Sequence, residues 1–285
     1  MHNETFYTSK DIKDFKIALI SDLHFYPQYN QKIFDKIINQ IKENKPDYIT
    51  IVGDILDSSD TEDLTRLKDF LTQLAEICTT LVSTGNHDEK KGSMKNWSSN
   101  KNNKFIEMLN SIHNLYYLND TAFTIGNITF YGFNLSYNYY EIDEEKYETF
   151  CKEANQLKYS LNENNYNITL CHSPINIYKF IRENPNHSLN KSNLILSGHM
   201  HNGCLPFILS HPLNKIFKSS RGLVSPARTL FPKYAQGRIY ERDGYVYEGI
   251  TKLSHSTKLF HKFDFLFQKK VEFLTIKSQE KTSSN

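Results

Sequence analysis

The sequence predicts an α/β fold with parallel strands, and three observations carry that prediction. The first third of the chain alternates apolar runs of strand length with segments whose apolar residues fall at helical spacing. Each of the apolar runs ends in a cluster of Asp, Asn or His. A chain of 285 residues is long enough for one large α/β domain.

The elements follow in order. FKIALISDLHF (15–25) is an apolar strand that ends in polar residues. QKIFDKIINQIKEN (31–44) sets Ile33, Phe34, Ile37, Ile38 and Ile41 at helical spacing, and Pro46 breaks that helix. PDYITIVGDILD (46–57) is a second strand, EDLTRLKDFLTQLAEI (62–77) a second helix and TTLVSTGNHD (79–88) a third strand. This order implies parallel strands joined by right-handed crossovers. A lysine- and asparagine-rich stretch, 90–104, reads as an exposed loop, and FIEMLNSI (105–112) as a helix. YYL, AFTI and ITFYGFNL suggest an antiparallel or mixed section, and 143–161 has helical composition. NITLCHSP (167–174) and NLILSGHMHNG (193–203) are two more strands with polar ends; GRIYERDGYVYEGITKL and VEFLTI are further strand-like pieces. With no repeat and no linker, the expectation is a single domain over 1–276 and a disordered polar tail at 277–285.

Composition narrows the class. Hydrophobic content of 39% is supplemented by 13% aromatic residues, which help fill a core. A formal charge of +2 is too small to argue for nucleic acid. Cys78, Cys151, Cys171 and Cys204 form no CxxC pair, which argues against a disulfide framework or a zinc-thiolate site and for a reduced compartment. The first 14 residues lack the apolar core of a signal peptide, and no run approaches the roughly 20 apolar residues that span a bilayer. The expectation is a soluble, cytoplasmic protein.

The polar clusters carry the chemistry. In LSGHMHNG (196–203), continued extended backbone would point His199 and His201 the same way. Two protonated imidazoles there repel, and a metal ion is the commonest reason to hold two neutral ones together. Four other strand ends carry DLH (Asp22, His24), GDILD (Asp54, Asp57), GNHD (Asn86, His87, Asp88) and CHSP (His172). Strand carboxyl ends in an open parallel sheet share one rim, so the clusters converge. Their oxygen and nitrogen donors, without thiolate, suit Mn, Fe, Zn or similar ions. The donors are too many for one ion, and two ions sharing a carboxylate fit the count. Two divalent cations outweigh the carboxylates of Asp22 and Asp54, which leaves a positive centre suited to phosphate.

The ordered set DxH, GDxxD, GNHD, H, GHxH over residues 22–201 resembles the calcineurin-like metallophosphoesterases. That resemblance implies a four-layer β-sandwich flanked by helices, with a dimetal site at the strand ends. It implies one ion held by Asp22, His24 and His201, another by Asn86, His172 and His199, and Asp54 between them. His87 would stand beside the substrate, stabilising the transition state or protonating the leaving oxygen, with Asp57 behind it and Asp88 as the alternative. A metal-bridging hydroxide would hydrolyse the substrate directly. The protein serine/threonine phosphatases carry Arg after GDxxD and a GNHE, where this chain has GDILDSS and GNHDEK. GHxH with a Pro-rich stretch and KYAxG looks like a bacterial branch that cleaves nucleotide-activated or lipid-linked diphosphates, although Asn202-Gly203 replaces its Gly-Gly. The implied substrate is a phosphorylated small molecule, nucleotide-activated or lipid-linked. A phosphodiesterase for nucleotides or nucleic acid, and a non-catalytic scaffold, are the alternatives. Lys215, Lys218, Arg221, Arg228, Lys233 and Arg238 offer cations for a phosphate, and 205–217 reads as a packed lid or a contact with a membrane surface.

Overall fold

The computed structural model describes residues 3–28, 30–91, 98–99, 101–134, 144–156, 160–200, 237–239, 244–246 and 271–279. In chain order the elements begin with β1 (Asn3–Thr8), β2 (Phe15–Ile20), α1 (Gln31–Asn44), β3 (Tyr48–Val52), α2 (Thr65–Ile77) and β4 (Thr79–Ser83). Then come α3 (Asn86–Glu89), β5 (Lys90–Lys91), β6 (Ser98–Ser99), α4 (Asn103–Asn110), β7 (Leu115–Tyr117), β8 (Ala122–Ile125) and β9 (Ile128–Gly132). The remainder are α5 (Glu144–Ala154), β10 (Tyr166–Leu170), α6 (Pro174–Glu183), β11 (Leu194–Ser197), β12 (Gly237–Ile239), β13 (Gly244–Val246) and β14 (Glu272–Ser278).

Period-2 and period-3.6 patterns sort these into four layers. One sheet has the order β1-β14-β2-β3-β4-β7, the other β12-β13-β11-β10-β9-β8. Phe15, Ile17, Leu19, Phe130, Ile168, Leu194, Leu196 and Leu274 meet between the sheets. The opposite face of the first sheet, with Ala18, Ile20 and Ile49, packs against the apolar stripes of α1, α2 and α4. α1 is typical of them. Asn30 caps it by accepting the Lys32 N–H at 3.0 Å, Phe34, Ile37, Ile38 and Ile41 bury its stripe, and Lys45 ends it in the left-handed conformation. Phe150, Ile177, Phe180 and Ile181 of α5 and α6 cover the second sheet.

β2, β3, β4 and β7 run parallel, as do β9, β10, β11 and β13, so each sheet presents its carboxyl ends on one rim. The antiparallel section expected near residue 125 is the β8–β9 hairpin. Some differences from the sequence reading stand out. β1 and α6 were not foreseen, and a two-residue β5–β6 ladder lies within the stretch expected to be a loop. β14 continues to Ser278, two residues into the expected tail, because Lys277 and Ser278 pair with Tyr7 and Thr8 of β1. Among the described residues, no helix is long and apolar enough to cross a membrane.

Candidate metal centre

The chain leaves β2, β3 and β11 through sharp turns. Asp22, His24, Asp54 and His199 all adopt positive φ, at 55°, 46°, 49° and 67°. Such backbone costs a non-glycine residue on the order of 1–3 kcal/mol, and it persists where surrounding structure over-determines it. His199 therefore does not continue the extended strand expected for it. β11 stops at Ser197, and the Met200 N–H returns to the Gly198 carbonyl at 2.8 Å, so a three-residue turn centred on His199 aims its ring.

Two glycines make this density achievable. A Cβ on Gly198 would overlap Ser21 Oγ and lie 2.5 Å from Asp22 Oδ2, and one on Gly85 would overlap Asp54 Oδ1. Gly198→Ala should accordingly destabilise the metal-free fold by about 2 kcal/mol through overpacking against immobile neighbours. Urea unfolding checks this, and an unchanged midpoint would contradict it.

The side chains converge from both sheets. His24 Nε2 lies 3.9 Å from Asp22 Oδ1 and 3.8 Å from Asp54 Oδ2. From the facing sheet, His172 Nε2 lies 3.2 Å from Asp54 Oδ2 and 3.8 Å from Asp22 Oδ1. Two donor groups share Asp54, namely Asp22–His24–Asp54 and Asp54–His172–His199, and a third, His24–Asp57–His87, adjoins them through His24; the donor atoms of each group lie within 4.8 Å of one another. The His199 N–H donates to both Asp22 oxygens at 3.1 Å, which ties the two sheets together across the rim. His201 lies outside the described residues, as do 205–217 and Lys218, Arg221, Arg228 and Lys233; of the cations named for a phosphate, Arg238 is described. Arg238 reaches the Thr5 carbonyl at 3.3 Å and covers the Phe6 ring, so it serves the edge of the first sheet.

A family profile described as calcineurin-like phosphoesterase matches residues 15–203 of the 285. The chain belongs to that family. The chain is 25% identical over 72% of its length to an uncharacterized metallophosphoesterase of Campylobacter jejuni, covering 49% of it. It is 26% identical over 73% of its length to a transmembrane protein with metallophosphoesterase domain from Danio rerio, covering 45% of it. It thus spans about half the length of these curated relatives. Among solved structures, a dimetal phosphatase from Danio rerio is similar at 14% identity, with 66% of this chain and 82% of that one covered and a TM-score of 0.38.

The residues gathered at this rim fit divalent cations. Asn86 Oδ1 is buried without a hydrogen-bond partner among the described residues, as suits a neutral oxygen ligand. His172 donates its Nδ1–H to the Val52 carbonyl at 2.7 Å; a carbonyl only accepts, so Nε2 is the atom left to ligate a cation. Burial opposes charge on this ring, but Asp54 and Asp22 overcome it and lift His172 to about 9. Burial, opposed by His172 and reinforced by Asp54, raises Asp22 to about 6. Asp54 is also buried, but the attraction of His172 and His87 holds it well below the usual carboxylate range.

A sign follows for metal loading. His172 must release its proton before Nε2 can ligate, so cation affinity should rise about tenfold per pH unit from about pH 6 to about pH 9. Below about 6, Asp22 also holds a proton and the dependence should steepen. Calorimetric titration with Mn²⁺ at several pH values tests this, and a flat affinity across the range would rule His172 out as a ligand.

His87 stands beside these groups. Its ring lies perpendicular to that of His24 with centroids 4.7 Å apart, and its backbone N–H is held by Asp54 Oδ1 at 2.8 Å. The family resemblance implied the Asp57 carboxylate behind His87, and it is the backbone carbonyl of Asp57 that takes the His87 Nδ1 hydrogen bond, at 2.8 Å. The Asp57 carboxylate lies 3.7 Å from His24 Nδ1. Ser21 escaped the sequence reading. Its Oγ donates to the Val52 carbonyl at 2.5 Å, beside the bond from His172, and the Ser immediately before DLH was the available signal.

Proposed function

We propose that this chain hydrolyses a phosphoester or diphosphate bond using two divalent cations held by Asp22, His24, Asn86, His172 and His199 and shared by Asp54. The observation that carries the reading is the single carboxylate common to two histidine-containing donor groups. Bound there, such cations supply Lewis-acid stabilisation of phosphoryl charge and a nucleophile at neutral pH. The protein supplies the rest. Asp22 and Asp54 neutralise only part of the cationic charge, so an anionic phosphoryl group is attracted to the rim. His87 keeps Nδ1 protonated on the Asp57 carbonyl, which makes Nε2 the atom that exchanges a proton with the leaving oxygen or donates to the phosphoryl group. The substrate class favoured is a phosphorylated small molecule, nucleotide-activated or lipid-linked.

The test is hydrolysis of p-nitrophenyl phosphate and bis-p-nitrophenyl phosphate side by side with Mn²⁺. Turnover of either ester, abolished by a chelator and restored by metal, supports the reading, and the preferred ester separates phosphatase from phosphodiesterase. A folded, metal-loaded protein inert toward both these esters and a panel of nucleotide and lipid-linked diphosphates would overturn it.

A further inference from the structure

We infer that Asp88 is a positioning residue that clamps the turn after β3 to the turn after β4, and thereby fixes the carbonyl that orients His87. The inference rests on the phosphoester-hydrolysing reading, because His87 has its role there. Asp88 is 2% exposed. Its Oδ1 accepts the Leu56 N–H at 2.7 Å and its Oδ2 accepts the Gly85 N–H at 2.8 Å. The β3–β4 ladder ends at Val52 and Ser83, with one more backbone bond from the Gly53 N–H to the Ser83 carbonyl at 3.0 Å. Beyond that point side chains must hold the two turns in register, and these turns carry Asp54, Asp57, Asn86 and His87.

The grip is reciprocal. His87 and Asp88 hold the neighbouring residues Asp57 and Leu56: His87 Nδ1 bonds the Asp57 carbonyl, and Asp88 takes the Leu56 N–H. The Asp57 N–H is bonded to the Phe25 carbonyl at 2.9 Å, so the Leu56–Asp57 segment is fixed on both sides. Both of these bonds to Asp88 come from N–H donors, which a carboxylate satisfies with one oxygen each. An asparagine can satisfy only one of them and sets an N–H against the other. Asp88 is thus not a charge partner for the His87 ring. It holds the main chain on which that ring leans.

The experiment uses the full chain loaded with Mn²⁺. In wild type, amide hydrogen exchange followed by NMR should find Leu56 and Gly85 protected. In Asp88→Asn those amides should exchange faster, and kcat for bis-p-nitrophenyl phosphate, expressed per fully loaded chain, should fall about 10- to 100-fold with KM within about twofold. A kcat per loaded chain within twofold of wild type would overturn the inference, because the effect would then lie in folding or metal retention alone. Wild-type Leu56 and Gly85 amides that exchange as fast as open-loop amides would also overturn it, and this outcome can be read even if the variant does not fold. A wild type that hydrolyses no ester refutes the functional reading instead, and the exchange data still decide the clamp.

Discussion

Replacing Asp54 by asparagine should lower kcat by about 10³-fold and reduce retained metal to no more than one ion per chain. Asp54 is 1% exposed and uses both oxygens. Oδ1 holds the His87 N–H, and Oδ2 faces His24 and His172. The amide keeps one oxygen and no charge. If that oxygen stays on His87, an NH₂ group faces two ligating histidines and the shared ligand is lost. If the amide flips, NH₂ faces the His87 N–H and the tether is lost instead. No other described carboxylate belongs to both donor groups, so no neighbour substitutes for it. Elemental analysis after dialysis, paired with kcat at saturating diester, measures both effects. An Asp54→Asn protein with wild-type metal content and kcat within threefold would refute the shared-ligand role.

His87→Ala should behave differently: kcat falls about 10²- to 10⁴-fold while metal content stays at the wild-type level. His87 lies in the adjoining group with His24 and Asp57 but in neither of the two groups that share Asp54, so its removal leaves the donors of those two in place. The size of the loss should depend on the leaving group. If Nε2 protonates the departing oxygen, an alkyl ester loses far more than a p-nitrophenyl ester, whose anion departs unaided. If Nε2 stabilises the phosphoryl charge, both lose equally. Either pattern is compatible with the site, whereas a variant as active as wild type on both esters would remove His87 from the chemistry.

How much of this was legible beforehand varies by residue. The ligand clusters could be read because each couples a rare donor pattern to the end of an apolar run, and Asp22, His24, Asp54, His172 and His199 do converge. β1 was hidden because it is an edge strand in which, over residues 4–8, Phe6 alone is buried, so NETFYT shows little apolar alternation. α6 was overlooked although its start was signalled, with Ser173 as cap and Pro174 in the first turn. The division into two sheets was not written in the alternation. β7 and β8 are neighbours in sequence yet lie in different sheets, and both sheets are mainly parallel. Asp57 marks the limit most clearly. The family resemblance implied a place behind His87, but whether its carbonyl or its carboxylate would bond the ring depends on a turn conformation that no residue pattern encodes.

The placement of β14 bears on the order in which the first sheet can close. β2, which leads directly to Asp22 and His24, has β3 on one side and β14, the last described strand, on the other. Leu19 of β2 sits opposite Glu272, so this pairing joins segments far apart in the sequence. Folding must close a long loop before it gains that contact, and until then β2 has an unpaired edge. The strand that presents two of the donor residues thus gains its second neighbour only through a slow, non-local step.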